Sequence, residues 1–291
     1  MKRFISTSTI LSALAFVAAT IVATTFVACS ISDDTATVYF ALTDAPVTSG
    51  DIEEVYVQFS SVRVHESTSA GELSSGWISV PVDSSHEYEL LSLSNGLSEA
   101  LGSIQMKGGT RINQIRFAIS KLELVEGDDL PGDARHTVSL ASATGLKIVN
   151  AFDIPLSGEI KIVVDFDVHK SLVNTGTSYK MKPVLRAIVD NEAGEIHGSA
   201  PVGYMVYAYK SGSDFAVTLS DPANDADAPD YDDAYTSARV REEGNYTLAF
   251  MDAGAYDLVL VAIVDGSVAQ VVNDVVVESA KGTLQNISIL P

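Results

Sequence analysis

The sequence predicts an all-β protein, two β-sandwich domains in tandem behind an exported leader, and three observations carry that expectation. Short runs rich in β-branched and aromatic residues recur along the chain, clusters of Gly, Asp, Ser and Asn separate them, and a polar stretch at residues 190–194 divides them into two groups. The 291 residues and 46% hydrophobic content suffice for two domains with cores of their own.

Residues 1–28 begin with the cations Lys2 and Arg3, continue through an apolar stretch from Ile10 to Val27, and close on small residues, the layout of a secretory signal. A transmembrane anchor fits less well, because the run is short and is diluted by Thr20, Thr24 and Thr25. Cys29 is the only cysteine, so it has no partner within the chain for a disulfide. Phe26-Val27-Ala28-Cys29 resembles a bacterial lipobox, with Phe26 where Leu is usual, and the resemblance implies cleavage before Cys29 and diacylglycerol on its sulfur. Two or three acyl chains hold a protein to a membrane stably, whereas one holds it marginally. Ser30 rather than Asp follows the cysteine, which favours the outer membrane and leaves the periplasmic or surface face open. Residues 29–36 then read as lipidated cysteine and polar tether.

In the first domain, residues 37–190, strands are expected at 38–42, 55–59, 62–64, 77–80, 115–119 and 160–168, with Trp77 in the core and a helical turn at 97–102. In the second, residues 191–291, they are expected at 204–209, 215–219, 246–250, 256–264, 275–277 and 284–290, around an acidic loop at 221–233. That loop lacks the central Gly and closing Glu of a calcium hand, so it reads as a solvated segment with weak Ca²⁺ affinity at most.

The formal charge is -20, from 18 Lys and Arg against 38 Asp and Glu, and removal of the leader with Lys2 and Arg3 makes it more negative still. Such a chain repels phosphate backbones, which excludes nucleic acid as a partner. No G-x-S-x-G, Gly-rich phosphate loop, H-E-x-x-H or cysteine pair is present, so no enzyme signature is legible.

The one constellation that invites a chemical reading is V-V-D-F-D-V-H-K-S at 163–171. On an extended chain Ile160, Ile162, Val164, Phe166 and Val168 face one way and Lys161, Val163, Asp165, Asp167 and His169 the other. Two carboxylates and an imidazole offer ligands to a divalent ion, but alternate positions lie about 7 Å apart, so three in line do not converge on one ion without a bulge or a second strand. The other reading of the row is the wet face of an antiparallel sheet.

Ala41-Leu42-Thr43-Asp44-Ala45-Pro46, Val62-Arg63-Val64-His65, Gln114-Ile115-Arg116-Phe117, Thr144-Gly145-Leu146-Lys147 and Val164-Asp165-Phe166-Asp167 with Lys170-Ser171 follow one another in the order of a bacterial lipoprotein family, the domain of unknown function 4382, which residues 37–190 resemble. The resemblance implies export, lipid anchoring and a β-sandwich, and no reaction. Asp44, Asp165, Asp167, Lys170 and Ser171 belong to its pattern and His169 does not. Asp165 is thus open to an ion pair with Lys170 or Lys147, or to a cation site shared with Asp44. Gly244-Asn245-Tyr246-Thr247-Leu248 and Gly254-Ala255-Tyr256-Asp257-Leu258 are similar to the carboxypeptidase-regulatory-like, transthyretin-like sandwiches, which implies a spacer or binding platform.

The expected function is a membrane-anchored, non-catalytic binding or assembly module of the cell envelope, held by lipid on Cys29, without cofactor and with a protein or glycan partner still to be identified. The alternatives are a cation-dependent ligand or carbohydrate binder using Asp44, Asp165 and Asp167, with Ca²⁺ as the ion, and a hydrolase whose site assembles only in the fold.

Overall fold

The computed structural model describes residues 34–44, 52–127, 135–140, 146–176, 178–213 and 233–289. Cys29, the predicted strand at 215–219 and the acidic loop up to residue 232 lie outside them. The protein is all-β. In chain order the strands are β1 (Thr35–Thr43), β2 (Ile52–His65), β3 (Ile78–Val80), β4 (Tyr88–Glu89), β5 (Glu99–Lys107), β6 (Arg111–Ile112), β7 (Gln114–Glu126), β8 (His136–Thr137), β9 (Ser139–Leu140), β10 (Leu146–Ile148) and β11 (Phe152–Asp153). They continue as β12 (Gly158–Asp167), β13 (Leu172–Asn174), β14 (Tyr179–Met181), β15 (Val184–Val189), β16 (Gly194–Ser199), β17 (Tyr204–Lys210), β18 (Thr236–Arg239), β19 (Asn245–Met251), β20 (Gly254–Ala262), β21 (Val268–Val277) and β22 (Gly282–Leu284). One helical turn, α1 (Val168–Ser171), follows β12, and a 3-10 turn spans Leu91–Leu93.

A sheet ordered β15-β12-β1-β5 packs on one ordered β10-β7-β2-β3, to which β4 and β8 add. Their shared core takes the alternate residues that strand periodicity assigns to it: Val38, Phe40 and Leu42 of β1, Val62 and Val64 of β2, Ile115 and Phe117 of β7, and Ile162, Val164 and Phe166 of β12. The two predicted strands at 55–59 and 62–64 are one long strand, β2, whose register against β7 shifts near Phe59.

The helical turn expected at 97–102 is instead the start of β5, paired antiparallel with β1 from Leu42–Glu99 onward. Its local helix preference is weaker than the ladder that the edge of β1 offers. Gly102 permits the close pass: a Cβ there would lie 2.1 Å from the Pro81 carbonyl oxygen. Trp77 is not in the core either. It precedes the edge strand β3 and lies half-buried on the outer face, where its Nε1–H donates to the Gly71 carbonyl at 2.9 Å.

Beyond the turn at 190–193 the sheets are β19-β16-β22 and β18-β17-β20-β21, and neither shares a strand with the first pair. Residues 35–291 nevertheless form one compact unit. Tyr246 and Tyr256 of the repeated G-x-Y-x-L sit in successive strands with their rings buried in one core. Their hydroxyls donate to the carbonyls of Gln285, at 2.6 Å, and Asp252, at 2.9 Å, so each ring is buried without an unmet donor. Among the described residues no helix is long and apolar enough to cross a membrane.

Candidate functional site

Strand β12 is buried on both faces from Ile162 to Asp167, which answers the question raised by V-V-D-F-D-V-H-K-S. Asp165 and Asp167 are 5% and 7% exposed, so the row is not a wet face. The strand ends at Asp167 and the chain turns helical at Val168, so position 169 is not part of the strand that carries the two aspartates.

Each carboxylate of the predicted set has a named contact. Asp165 stands directly opposite Arg186 in the β12–β15 register, and its Oδ2 accepts from Arg186 Nε at 2.6 Å. Arg186 in turn lays its guanidinium over the ring of Tyr235, 4.2 Å from the centroid. Asp167 caps α1: its Oδ1 accepts from the Lys170 amide at 3.0 Å, and its Oδ2 lies 3.0 Å from Lys170 Nζ. Lys170 Nζ also donates to the Ala234 carbonyl. Asp44 reaches across the sheet, its Oδ1 accepting from the Val168 amide at 3.0 Å. Ser171 closes the turn, donating to the Asp167 carbonyl and accepting from the Val184 amide at 2.8 Å. Ala45 and Pro46, which follow Asp44, lie outside the described residues.

The pairings differ from those left open by the sequence. Asp165 pairs with Arg186 rather than with Lys170 or Lys147, and Lys170 pairs with Asp167. Arg186 and Tyr235 were not singled out, although an arginine inside V-L-R-A-I-V carries its own signal: a cation in an apolar strand needs an acid partner.

Burial pushes the Asp165 carboxyl above its ordinary range, and the charge of Asp167 adds to that rise while Arg186 opposes it. Asp165 Oδ1 and Arg186 Nη1 have no hydrogen-bond partner among the described residues. Both residues line a polar cavity of about 10 Å³ with Thr43, Asp44, Thr236 and Ser237, room for one water-sized particle. This geometry suits Ca²⁺ poorly, since that ion takes six to eight oxygens and a guanidinium here lies against the central carboxylate. Among the described residues no three His, Cys, Asp or Glu side chains are grouped to hold a metal. The larger openings, a groove of about 950 Å³ beside Leu91, Leu97 and Met205 and a hollow of about 320 Å³ beside Tyr235 and Asp252, include none of Asp44, Asp165 and Asp167.

What the cluster does is join the two pairs of sheets. Arg186 and Lys170, held by Asp165 and Asp167, grip Tyr235 and Ala234 at the start of β18, while Asn95 Oδ1 accepts from the Thr247 amide of β19 at 3.2 Å.

No curated protein matches the chain. Among solved structures it is similar to the TIE protein of Bacillus anthracis at 8% identity and TM-score 0.21, covering 87% of this chain and 34% of that one. It is also similar to GBS52, the minor pilin of Streptococcus agalactiae, at 11% identity and TM-score 0.21 over 87% of this chain and 96% of that one. BcpA, the major pilin subunit of Bacillus cereus, follows at 9% and 0.20, over 87% and 69%. At these scores the likeness carries no inference. A family model matches residues 35–183, just over half of the chain and every strand from β1 to β14, and the chain belongs to that family, the domain of unknown function DUF4382.

Proposed function

We propose that the chain is a lipid-anchored, non-catalytic module of the cell envelope, tethered through Cys29 and presenting its two pairs of sheets as one fixed body for binding or assembly. The observation that carries this reading is the use of the aspartate row: Asp165 and Asp167 orient Arg186 and Lys170 onto Tyr235 and Ala234, a structural task, and the cavity that Asp44 and Asp165 line holds no more than one water-sized particle. The leader and lipobox-like residues 1–29 support the anchor. The outer membrane is the destination that Ser30 favours, and the repeated G-x-Y-x-L supports a transthyretin-like second module over residues 191–291.

Palmitate labelling of cells making the full chain tests the anchor. The expected result is a labelled protein in the membrane fraction, with label and sedimentation both lost in Cys29→Ser; a labelled or equally membrane-bound variant would overturn it. The cation-dependent reading is tested on the metal-stripped protein. A bound ion at a hundred times its dissociation constant adds about 2.7 kcal/mol to stability. We expect no change in unfolding midpoint with Ca²⁺ or Zn²⁺; a rise that disappears in the Asp165→Asn, Asp167→Asn double variant would replace the module reading with that of a cation-dependent binder.

A further inference from the structure

Across the sheet that contains β2 and β7, Lys147 of β10 stands opposite Arg116 of β7, Arg116 opposite Arg63 of β2, and Arg63 opposite Ser79 of β3. Directly opposed residues of antiparallel strands share a face, so three cations lie side by side. Their chain neighbours Val62, Val64, Ile115, Phe117, Leu146 and Ile148 are buried in the core, which puts the cations on the outer face.

Like charges in direct cross-strand opposition destabilise a sheet. In a chain with 18 basic and 38 acidic side chains, the arrangement also runs against composition. Glu72 is the acid recorded nearby, 3.9 Å from Arg63 and 64% exposed, and among the described residues Arg116 and Lys147 have no ion-pair partner. The cations are instead organised around an aromatic ring. Arg63 and Arg116 place their guanidinium carbons 5.3 and 5.2 Å from the centre of Trp77, and His65 meets the same ring at 5.0 Å. Arg116 is held from behind by a hydrogen bond from Nη2 to the Ala70 carbonyl at 3.0 Å. A cleft of about 30 Å³ opens between Ser61, Arg63, Glu72 and Arg116, and Lys147, at the β10 end of the row, is exposed.

We propose that this face binds an anionic polysaccharide, with carboxylate or sulfate groups of successive sugars on Lys147, Arg116 and Arg63 and a sugar ring against Trp77. Neighbouring strands lie about 4.8 Å apart, so the row repeats on the scale of a single sugar residue. Guanidinium groups match planar oxyanions with two parallel hydrogen bonds, and a half-buried indole beside them offers an apolar surface to a ring. A linear polyanion reaches the row while avoiding the surrounding negative charge, which a membrane plane of anionic headgroups does not. The site shares no residue with the aspartate cluster and stands independently of the module reading.

Trp77 is the only tryptophan, so its emission reports on this face alone. The test titrates the full chain with polygalacturonate in a chelator at low ionic strength, with neutral dextran and phosphatidylglycerol vesicles as separate arms. The expected result is a saturable emission change with polygalacturonate that weakens as salt is added, and none with dextran. Lys147→Glu and Arg63→Gln are each expected to weaken apparent affinity about tenfold. The exposed Lys147→Glu change sets an opposite charge against Arg116 and should leave the unfolding midpoint no lower than that of the wild type, which separates lost binding from lost folding. No saturable change, equal affinity in both variants, an equal response to dextran, or a response to the vesicles in place of polygalacturonate would each overturn the assignment.

Discussion

Arg186→Met is expected to lower the unfolding free energy by about 3–5 kcal/mol, because it leaves the Asp165 carboxylate buried without its counter-charge. The pair is short, 2.6 Å, and its side chains are 6% and 26% exposed, so solvent relaxes the loss only in part. Urea unfolding at unchanged slope measures it directly. Replacing both partners, Asp165→Leu with Arg186→Met, is expected to recover most of the loss, since the desolvation of two charges is removed together with their attraction. A single-variant effect below about 1 kcal/mol would place the pair among weak surface bridges and remove the argument that it fastens the two pairs of sheets.

The same variant carries a pH signature. Burial raises the folded-state value of Asp165 above its ordinary 3.8, so the folded protein holds that proton more tightly than the unfolded chain. The stability this group contributes is therefore fully present below 3.8 and is lost as pH rises through the raised folded value. Removing Arg186 takes away the charge that opposes the rise and deepens the loss. The gap between wild type and Arg186→Met should accordingly be smaller at pH 4 than at pH 7; a gap that is constant or widens toward acid would contradict the burial argument.

Phe166→Ala is the second large effect, about 3–5 kcal/mol in the same measurement. Phe166 is fully buried near the end of β12 and faces the core shared by the first two sheets, opposite in direction to Asp165 and Asp167. Deleting the ring leaves a cavity that the pairing of Phe166 with Leu185 of β15, and of the preceding residue with β1, holds open. A loss near that of a surface substitution, within about 0.5 kcal/mol, would show that the ring is not packed as described.

These two residues also mark where sequence reasoning succeeds and where it stops. Alternation from Ile160 to Val168 assigns Phe166 to the core correctly, because period two is a property of the strand itself. The same alternation sees only one burying surface. It leaves Asp165 and Asp167 on a face that reads as wet, whereas their partners Arg186 and Lys170 are covered by Tyr235 and Ala234, more than 60 residues downstream of the two aspartates. The helical reading of 97–102 failed for a related reason: the edge of β1 that recruits Glu99–Lys107 is not visible in the local composition. Trp77 was misplaced because an aromatic beside a strand run reads as core, although edge position and two neighbouring arginines keep it at the surface. The strands expected at 246–250 and 256–264 were legible, since their tyrosines meet both of their needs, a buried ring and a nearby carbonyl, within the adjoining strands and loops.

The parallel pairing of β1 with β12 joins Ala36 to Gly158 and Thr43 to Asp165, contacts separated by more than 120 positions in the chain. A polypeptide emerging from its amino end cannot complete the central ladder of its first sheet until residue 165 has appeared, so this closure carries a large entropic barrier and comes late. Until then β1 can pair only with β5, and its other edge stays open. Late closure sets a period during which an unpaired apolar edge must be shielded from its neighbours.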